Sequence, residues 1–177
     1  MLEKQVIIEK LKICVEKLKK KDIYLIKNDG SERAIAHRLA LYMEDEFSEY
    51  DVDCEYNINI EHHSGRKKIY LLEEEVKKYK SKHKVIEDKE VSILPDIIVH
   101  RRGENSKNIL IIEIKKDTST IDDEYDTFKL KKFTDVYDED SLFYKLGCAL
   151  KILTTAEDVN FEFYEEGKLM EMEEGMK

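Results

Sequence analysis

Three charged residues in the middle of the chain have the types and spacing of a metal-binding site. Asp96 directly follows Pro95, and Glu113 and Lys115 close an apolar run about seventeen residues later. Carboxylate oxygens are the ligands that Mg²⁺ prefers, and burying charged groups is unfavourable unless they are paired or bind a metal. The alternative is a plain buried ion pair between Glu113 and Lys115, with Asp96 capping the start of a strand.

A predicted β-hairpin would bring these three side chains together. Two β-branched runs, Ile97–Val99 and Ile109–Ile112, flank a polar turn, which is the pattern of two paired strands. The second run is apolar at consecutive positions, and this indicates a strand that is covered on both faces. Because side chains alternate along a strand, Glu113 and Lys115 are expected to share one face.

The remaining sequence predicts the elements that surround this hairpin. Some segments repeat apolar residues at helical spacing, and others alternate polar and apolar residues or form short apolar runs. The expected order is a helix over 2–20, a helix over about 32–47, a strand over 51–60, a charged insertion over about 61–92 with one helix, the 96–115 hairpin, a helix over about 126–134, and strands over 142–153 and 159–164. This order predicts an α/β three-layer domain with a central mixed β-sheet flanked by helices.

Glu32 is a further candidate for the same site. It lies two helical turns before Leu39, so it falls on the stripe of the second helix that faces the core. On that interpretation its carboxylate points inward, toward the ends of the hairpin strands. The alternative is a capping box, in which Asp29 is the N-cap and Glu32 is the third residue of the helix.

Length and composition limit the class of protein. The chain of 177 residues, 40% of them charged, is expected to form one highly charged domain over 1–177. Its cysteines are far apart and include no CxxC pair, which fits a reduced compartment. They lie on apolar faces of the predicted elements, so core positions are expected for all of them: Cys14, Cys54 and Cys148. No signal peptide or membrane span is recognisable, so we expect a cytoplasmic protein without membrane contacts.

The charge is unevenly distributed along the chain. The net charge of −9 disfavours non-specific nucleic-acid binding, but residues 66–84 hold eight Lys or Arg against three Glu. This stretch is the best candidate for phosphate contacts outside the acidic site, and its alternative is a solvated helix surface. The residues we select as nucleic-acid-binding candidates are Lys77, Lys78, Lys80 and Lys82.

The spacing of the acidic site resembles a known motif. Pro95-Asp96 followed by Glu113-Ile114-Lys115 is similar to the PD-(D/E)XK motif of the restriction-endonuclease-like superfamily. Members place the Asp and the Glu-x-Lys on adjacent strands of an α-β-β-β-α-β core, and a helix before the first strand often supplies a further Glu. The resemblance covers about residues 31–165, and the matching positions outside the motif are Glu32, Asp126, Lys129, Leu130, Tyr144 and Gly147.

The resemblance implies a restriction-endonuclease-like core and metal-dependent hydrolysis of phosphodiester bonds in DNA. Mg²⁺ or Mn²⁺ would be held by Asp96, Glu113, the carbonyl of Ile114 and Glu32, and Lys115 would orient a water or stabilise the transition state. Some members of the superfamily have lost activity, so the alternative is an inactive module that binds nucleic acid or protein. Because many small nucleases cut both strands as dimers, the resemblance also leaves a homodimer open.

Overall fold

The computed structural model describes residues 2–59, 65–79, 90–120, 124–138 and 141–171. Within these ranges no helix is both long enough and apolar enough to cross a membrane. The helices and strands follow one another as α1 (Lys4–Lys21), α2 (Ile23–Lys27), α3 (Glu32–Glu46), β1 (Asp51–Cys54), β2 (Lys68–Tyr70), α4 (Glu73–Tyr79), β3 (Glu90–Ser92), β4 (Ile97–His100), β5 (Leu110–Lys116), α5 (Glu124–Thr134), β6 (Leu146–Leu153), β7 (Asp158–Glu165) and β8 (Lys168–Leu169).

Six of the strands form one mixed sheet in the order β1-β4-β5-β6-β7-β8, and β2 pairs with β3 in a separate small sheet. β5 and β6 are parallel, whereas the other neighbours in the large sheet are antiparallel. The chain dictates this difference, because β4 and β5 are joined by a short turn, whereas α5 intervenes between β5 and β6. Parallel neighbours need such a crossover.

The sheet is covered on both faces, and this confirms the predicted three-layer α/β fold. Along β5, Leu110, Ile112 and Ile114 pack with the apolar stripes of α1 and α3. Ile111 faces the other way and packs with α5 and the small β2–β3 sheet. The run of consecutive apolar residues in β5 was therefore a correct sign of burial on both faces.

The strand predicted over 51–60 is shorter than its alternating pattern suggested. β1 ends at Cys54, because Glu55 adopts a positive φ of 49° and its N–H donates to the carbonyl of Pro95 at 3.0 Å. Cys54 is consequently exposed, and the prediction that it lies in the core is wrong. Cys14 and Cys148 are buried as predicted.

The charged insertion contains more structure than the single helix that we predicted. α4 accounts for that helix, but β2 and β3 pair with each other on either side of it. Each of these strands has three residues, too few to show a periodic pattern in the sequence. Their apolar residues, Ile69 and Val91, join the core beneath α5.

Candidate active site

The paired ends of β4 and β5 place Asp96 and Glu113 opposite each other. Ile97 lies opposite Ile112 in the antiparallel register, so the next position along places Asp96 beside Glu113. The Ile114 N–H donates a hydrogen bond of 2.6 Å to Asp96 Oδ2. No residue of β4 lies opposite this N–H, because β4 begins at Ile97. The Asp96 carboxylate accepts the hydrogen bond that a partner strand would otherwise accept. The carbonyl of Ile114 points to the same edge of β5.

Glu32 reaches the same strand end from the opposite layer. Ser31 is the N-cap of α3, since its hydroxyl accepts a hydrogen bond from the Ala34 N–H at 3.2 Å. Glu32 is therefore the first residue of the helix, and its Oε1 accepts a hydrogen bond of 3.1 Å from the Lys116 N–H. The capping box with Asp29 is wrong, because Asp29 lies in the preceding turn with a positive φ of 54°.

Two residues of α5 complete the charge cluster, and the sequence had not assigned them a role in the site. Lys129 Nζ lies 2.8 Å from Glu113 Oε2 and 2.9 Å from Asp126 Oδ1. Lys115 Nζ lies 3.0 Å from Asp126 Oδ2. The alternative of an ion pair between Glu113 and Lys115 is therefore wrong, because each of these side chains pairs with a residue of α5. The spacing of Asp126 and Lys129, one helical turn apart, could have indicated that they share a face.

Glu113 carries the most unusual feature of the cluster. Its side chain is 5% exposed, and its Oε1 atom is buried without a hydrogen-bond partner among the described residues. Leaving such a group unsatisfied costs roughly 1–3 kcal/mol, and more when the group is charged. Glu113 also lines a cavity of about 220 Å³ together with Lys115 and Asp126. The structure thus places a carboxylate with one unsatisfied oxygen in the wall of a space in which a ligand can sit.

Burial sets the protonation of the two acids on the strands. Loss of water contacts raises the pKa of Glu113 to about 8, although the ammonium of Lys129 acts in the opposite direction. Burial also raises the pKa of Asp96, and the nearby carboxylates of Asp126 and Glu32 add to this rise. These mutual effects show that the acids are close enough to repel one another.

The charges contributed by α5 are held in their ionised forms. Burial alone would raise the pKa of Asp126, but Lys129 and Lys115 outweigh it, and the net shift is downward. Burial likewise would lower the pKa of Lys129, but the carboxylates of Glu113 and Asp126 reverse the effect and raise it. Lys129 is thus a permanent ammonium group within the cluster.

We expect the raised pKa of Glu113 to appear in the pH dependence of stability. The folded state holds this proton more tightly than the unfolded state, whose carboxyl titrates near the model value of 4.5. The stabilisation is therefore complete below about pH 4.5 and is lost as the pH rises to about 8, at no more than about 1.4 kcal/mol per pH unit. Melting curves in EDTA should show this decline in the parent, and Glu113→Gln should flatten it. An equal slope in both proteins would contradict the raised pKa.

A second buried polar cluster lies at the far end of β4. His100 Nε2 lies 2.9 Å from Asp53 Oδ2, which joins β4 to β1. Lys67 Nζ donates a hydrogen bond of 3.1 Å to the hydroxyl of Tyr144, and both side chains are almost fully buried. Burial lowers the pKa of Lys67 to about 8, partly offset by the carboxylate of Asp53. These contacts fix the segment before β2 against the main sheet.

The basic stretch is described only in part. The side chain of Lys78 forms an ion pair with Glu124 at the start of α5. The side chain of Lys77 and the whole of Lys80 and Lys82 lie outside the described residues. The role of these four lysines in phosphate contacts remains a prediction, and Lys78 has an acidic neighbour that reduces its net contribution.

In comparisons with known proteins, no family model, curated protein or solved structure matches this chain. Among the described residues, no group of three or more His, Cys, Asp or Glu side chains is arranged so that it could hold a metal ion.

Proposed function

We propose that the protein is a metal-dependent nuclease that hydrolyses phosphodiester bonds in DNA. The observation that carries the proposal is the juxtaposition of Asp96 and Glu113 on paired strands, with Glu113 Oε1 buried and without a partner among the described residues. A structural ion pair would satisfy both carboxylate oxygens, since an unsatisfied buried oxygen destabilises the fold. A buried carboxylate that destabilises the fold and has a shifted pKa, as Glu113 does, is typical of functional sites.

The net charge of the site and the chemical type of its donor atoms, though not the present spacing of the described acids, favour a divalent cation. When all are ionised, the carboxylates of Glu32, Asp96, Glu113 and Asp126 exceed the ammonium groups of Lys115 and Lys129 by two negative charges. Hard oxygen donors are the ligands that Mg²⁺ and Mn²⁺ take in proteins. Asp96, Glu113 and the Ile114 carbonyl would hold the ion, and Glu32 would support it from the opposite layer. The bound ion would lower the pKa of a water and offset charge on a phosphate.

Lys115 is the residue that would act on the reacting phosphate. It shares the sheet face of Glu113 and lines the same cavity, and its side chain is 18% exposed. Asp126 holds its ammonium group at 3.0 Å and so fixes its direction. A fixed ammonium group beside the acids can neutralise charge that develops on the phosphate, which is the usual use of a preorganised cation in catalysis.

The direct test is metal-dependent cutting of plasmid and single-stranded DNA. The parent should cut in Mg²⁺ or Mn²⁺ and not in EDTA, and Asp96→Asn should be inactive in every condition. Asp96→Asn should also melt at a higher temperature than the parent in EDTA, because it removes repulsion among the acids. Absence of cutting with either metal, together with a lower melting temperature for Asp96→Asn, would overturn the proposal.

A catalytically silent binding module is the second candidate, and one observation favours it. The ammonium group of Lys129 contacts both Glu113 and Asp126, at the side of Glu113 where a cation would be attracted. On this alternative Lys129 replaces the metal permanently. Its signature would be a melting temperature that does not respond to Mg²⁺ or Mn²⁺, whereas a site with a Kd of about 1 mM gains roughly 1.4 kcal/mol at about 10 mM metal.

A further inference from the structure

A polar row crosses three strands next to the acidic site. In the sheet register Lys115 of β5 lies beside Lys151 of β6, and Lys151 lies opposite Asn160 of β7. Neighbouring strands are about 4.8 Å apart, so the row extends roughly 10 Å from Lys115 to Asn160. Lys151 and Asn160 are exposed, and Lys151 has no ion-pair partner in the part of the chain that the structure describes.

A parallel row one step deeper on the same face is acidic. Glu113 lies beside Ala149, and Ala149 lies opposite Glu162. The small side chain of Ala149 leaves a gap between the two acids, and both rows line the cavity of about 220 Å³. The Tyr164 hydroxyl donates a hydrogen bond of 3.0 Å to Glu162 Oε2, which holds that carboxylate in place.

The size of this cavity limits what it can recognise. Pockets that enclose drug-sized ligands measure about 300–1,000 Å³, and this one is smaller and has a polar rim. Its size suits a phosphate with part of a sugar better than a whole nucleotide. The positions of the charged side chains in the cavity also favour one orientation of the bound phosphate. A phosphate is repelled by the inner acids and attracted to the outer row, where Lys151 and Asn160 supply a cation and an amide donor.

We propose that this cavity, with Lys151 and Asn160 at its rim, binds the phosphate and sugar of a nucleotide that flanks the cleaved bond. The proposal rests on the proposed function, since it assumes that the reacting phosphate lies at Asp96 and Glu113. A strand held there would continue over the outer row. Because the contact is made to phosphate and sugar, it carries no sequence information, and it positions the strand relative to Lys115.

The test compares binding of two duplex oligonucleotides of equal length and unrelated sequence. Asp96→Asn serves as the background, so that the DNA stays intact. Lys151→Ala should weaken binding of both duplexes about 5–10-fold and reduce the slope of log K against log salt by about 1. Asn160→Ala should weaken binding less and leave the slope unchanged, because it removes no charge. Glu162→Gln should strengthen binding, because it removes a repelling carboxylate.

Lys168→Ala is the matched control. Lys168 is exposed on β8 and pairs in register with Glu165, at the end of β7 opposite to Asn160. Its removal should leave affinity and salt slope unchanged. The proposal is overturned if Lys151→Ala behaves like Lys168→Ala, if the loss is confined to one of the two sequences, or if the background protein does not bind DNA.

Cleavage kinetics separate this proposal from the proposed function. In the otherwise unchanged protein, Lys151→Ala should raise KM and leave kcat nearly unchanged, because it removes binding that is equal in the ground and transition states. Normal cutting with an unchanged KM would remove the flanking contact and leave the nuclease intact. A parent that binds DNA through Lys151 but never cuts it would keep the contact at Lys151 and overturn the proposed nuclease function.

Discussion

Lys115→Ala should reduce the rate of DNA cleavage by about 10²–10³-fold, the effect of removing one preorganised charge from a transition state. Lys115 shares the face of Glu113, and it is held by Asp126 rather than by either strand acid. Its loss therefore breaks no contact of the strand acids Asp96 and Glu113, and Asp126 keeps its contact with Lys129. The measurement is single-turnover cleavage of plasmid DNA in Mg²⁺, together with the metal-induced shift of the melting temperature.

Metal binding distinguishes the role of Lys115 from that of the acids. Lys115→Ala should keep the metal-induced rise of roughly 3–6 °C that corresponds to about 1.4 kcal/mol, and Asp96→Asn should lose both this rise and cleavage. Lys168→Ala, far from the site on β8, should match the parent in both measurements. Full activity in Lys115→Ala would remove the role that we assign to this residue.

Lys129→Met should be the most destabilising single change in the site. The substitution keeps much of the side-chain volume but leaves Glu113 and Asp126 without the ammonium group that contacts both. Breaking a buried ion pair from one side costs roughly 3–5 kcal/mol, which corresponds to a fall in melting temperature of roughly 6–20 °C in EDTA. Glu113 can relieve the strain by taking up a proton, so the loss should be larger at about pH 9 than at about pH 6.

The response of Lys129→Met to metal decides between the two candidate functions. In a metal site the ammonium group and the cation compete for Glu113, so Mg²⁺ should raise the melting temperature of the variant more than that of the parent. In a silent module the parent should not respond at all, because Lys129 takes the place of the cation, and a response in Lys129→Met alone would support that module. Lys131→Met is the control, because Lys131 is exposed on the same helix and its loss should change stability by less than about 0.5 kcal/mol. A variant as stable as the parent in EDTA would contradict the buried pairing.

Much of the framework could be predicted because its signals are local. The β4–β5 hairpin is specified by two apolar runs and the turn between them, and the alternation of side chains along β5 separates Glu113 and Lys115 from Ile114. The α/β class follows from the order of these local patterns. The prediction failed where the backbone changed direction at the end of a strand. Glu55 has a positive φ, so β1 ends at Cys54, and Cys54 is exposed.

By itself, the sequence determined the chemistry available to this protein. It places Asp96, Glu113 and Lys115 on one hairpin and Glu32 at the start of a helix, because each position depends on periodicity within a few residues. Only the tertiary structure decided which charges neutralise one another. Lys129 and Asp126 reach the site because α5 crosses from β5 to the parallel strand β6 and packs on the face that bears Glu113. Lys151 and Asn160 join Lys115 through strand register, which depends on pairing between segments distant in sequence and cannot be read from any one of them.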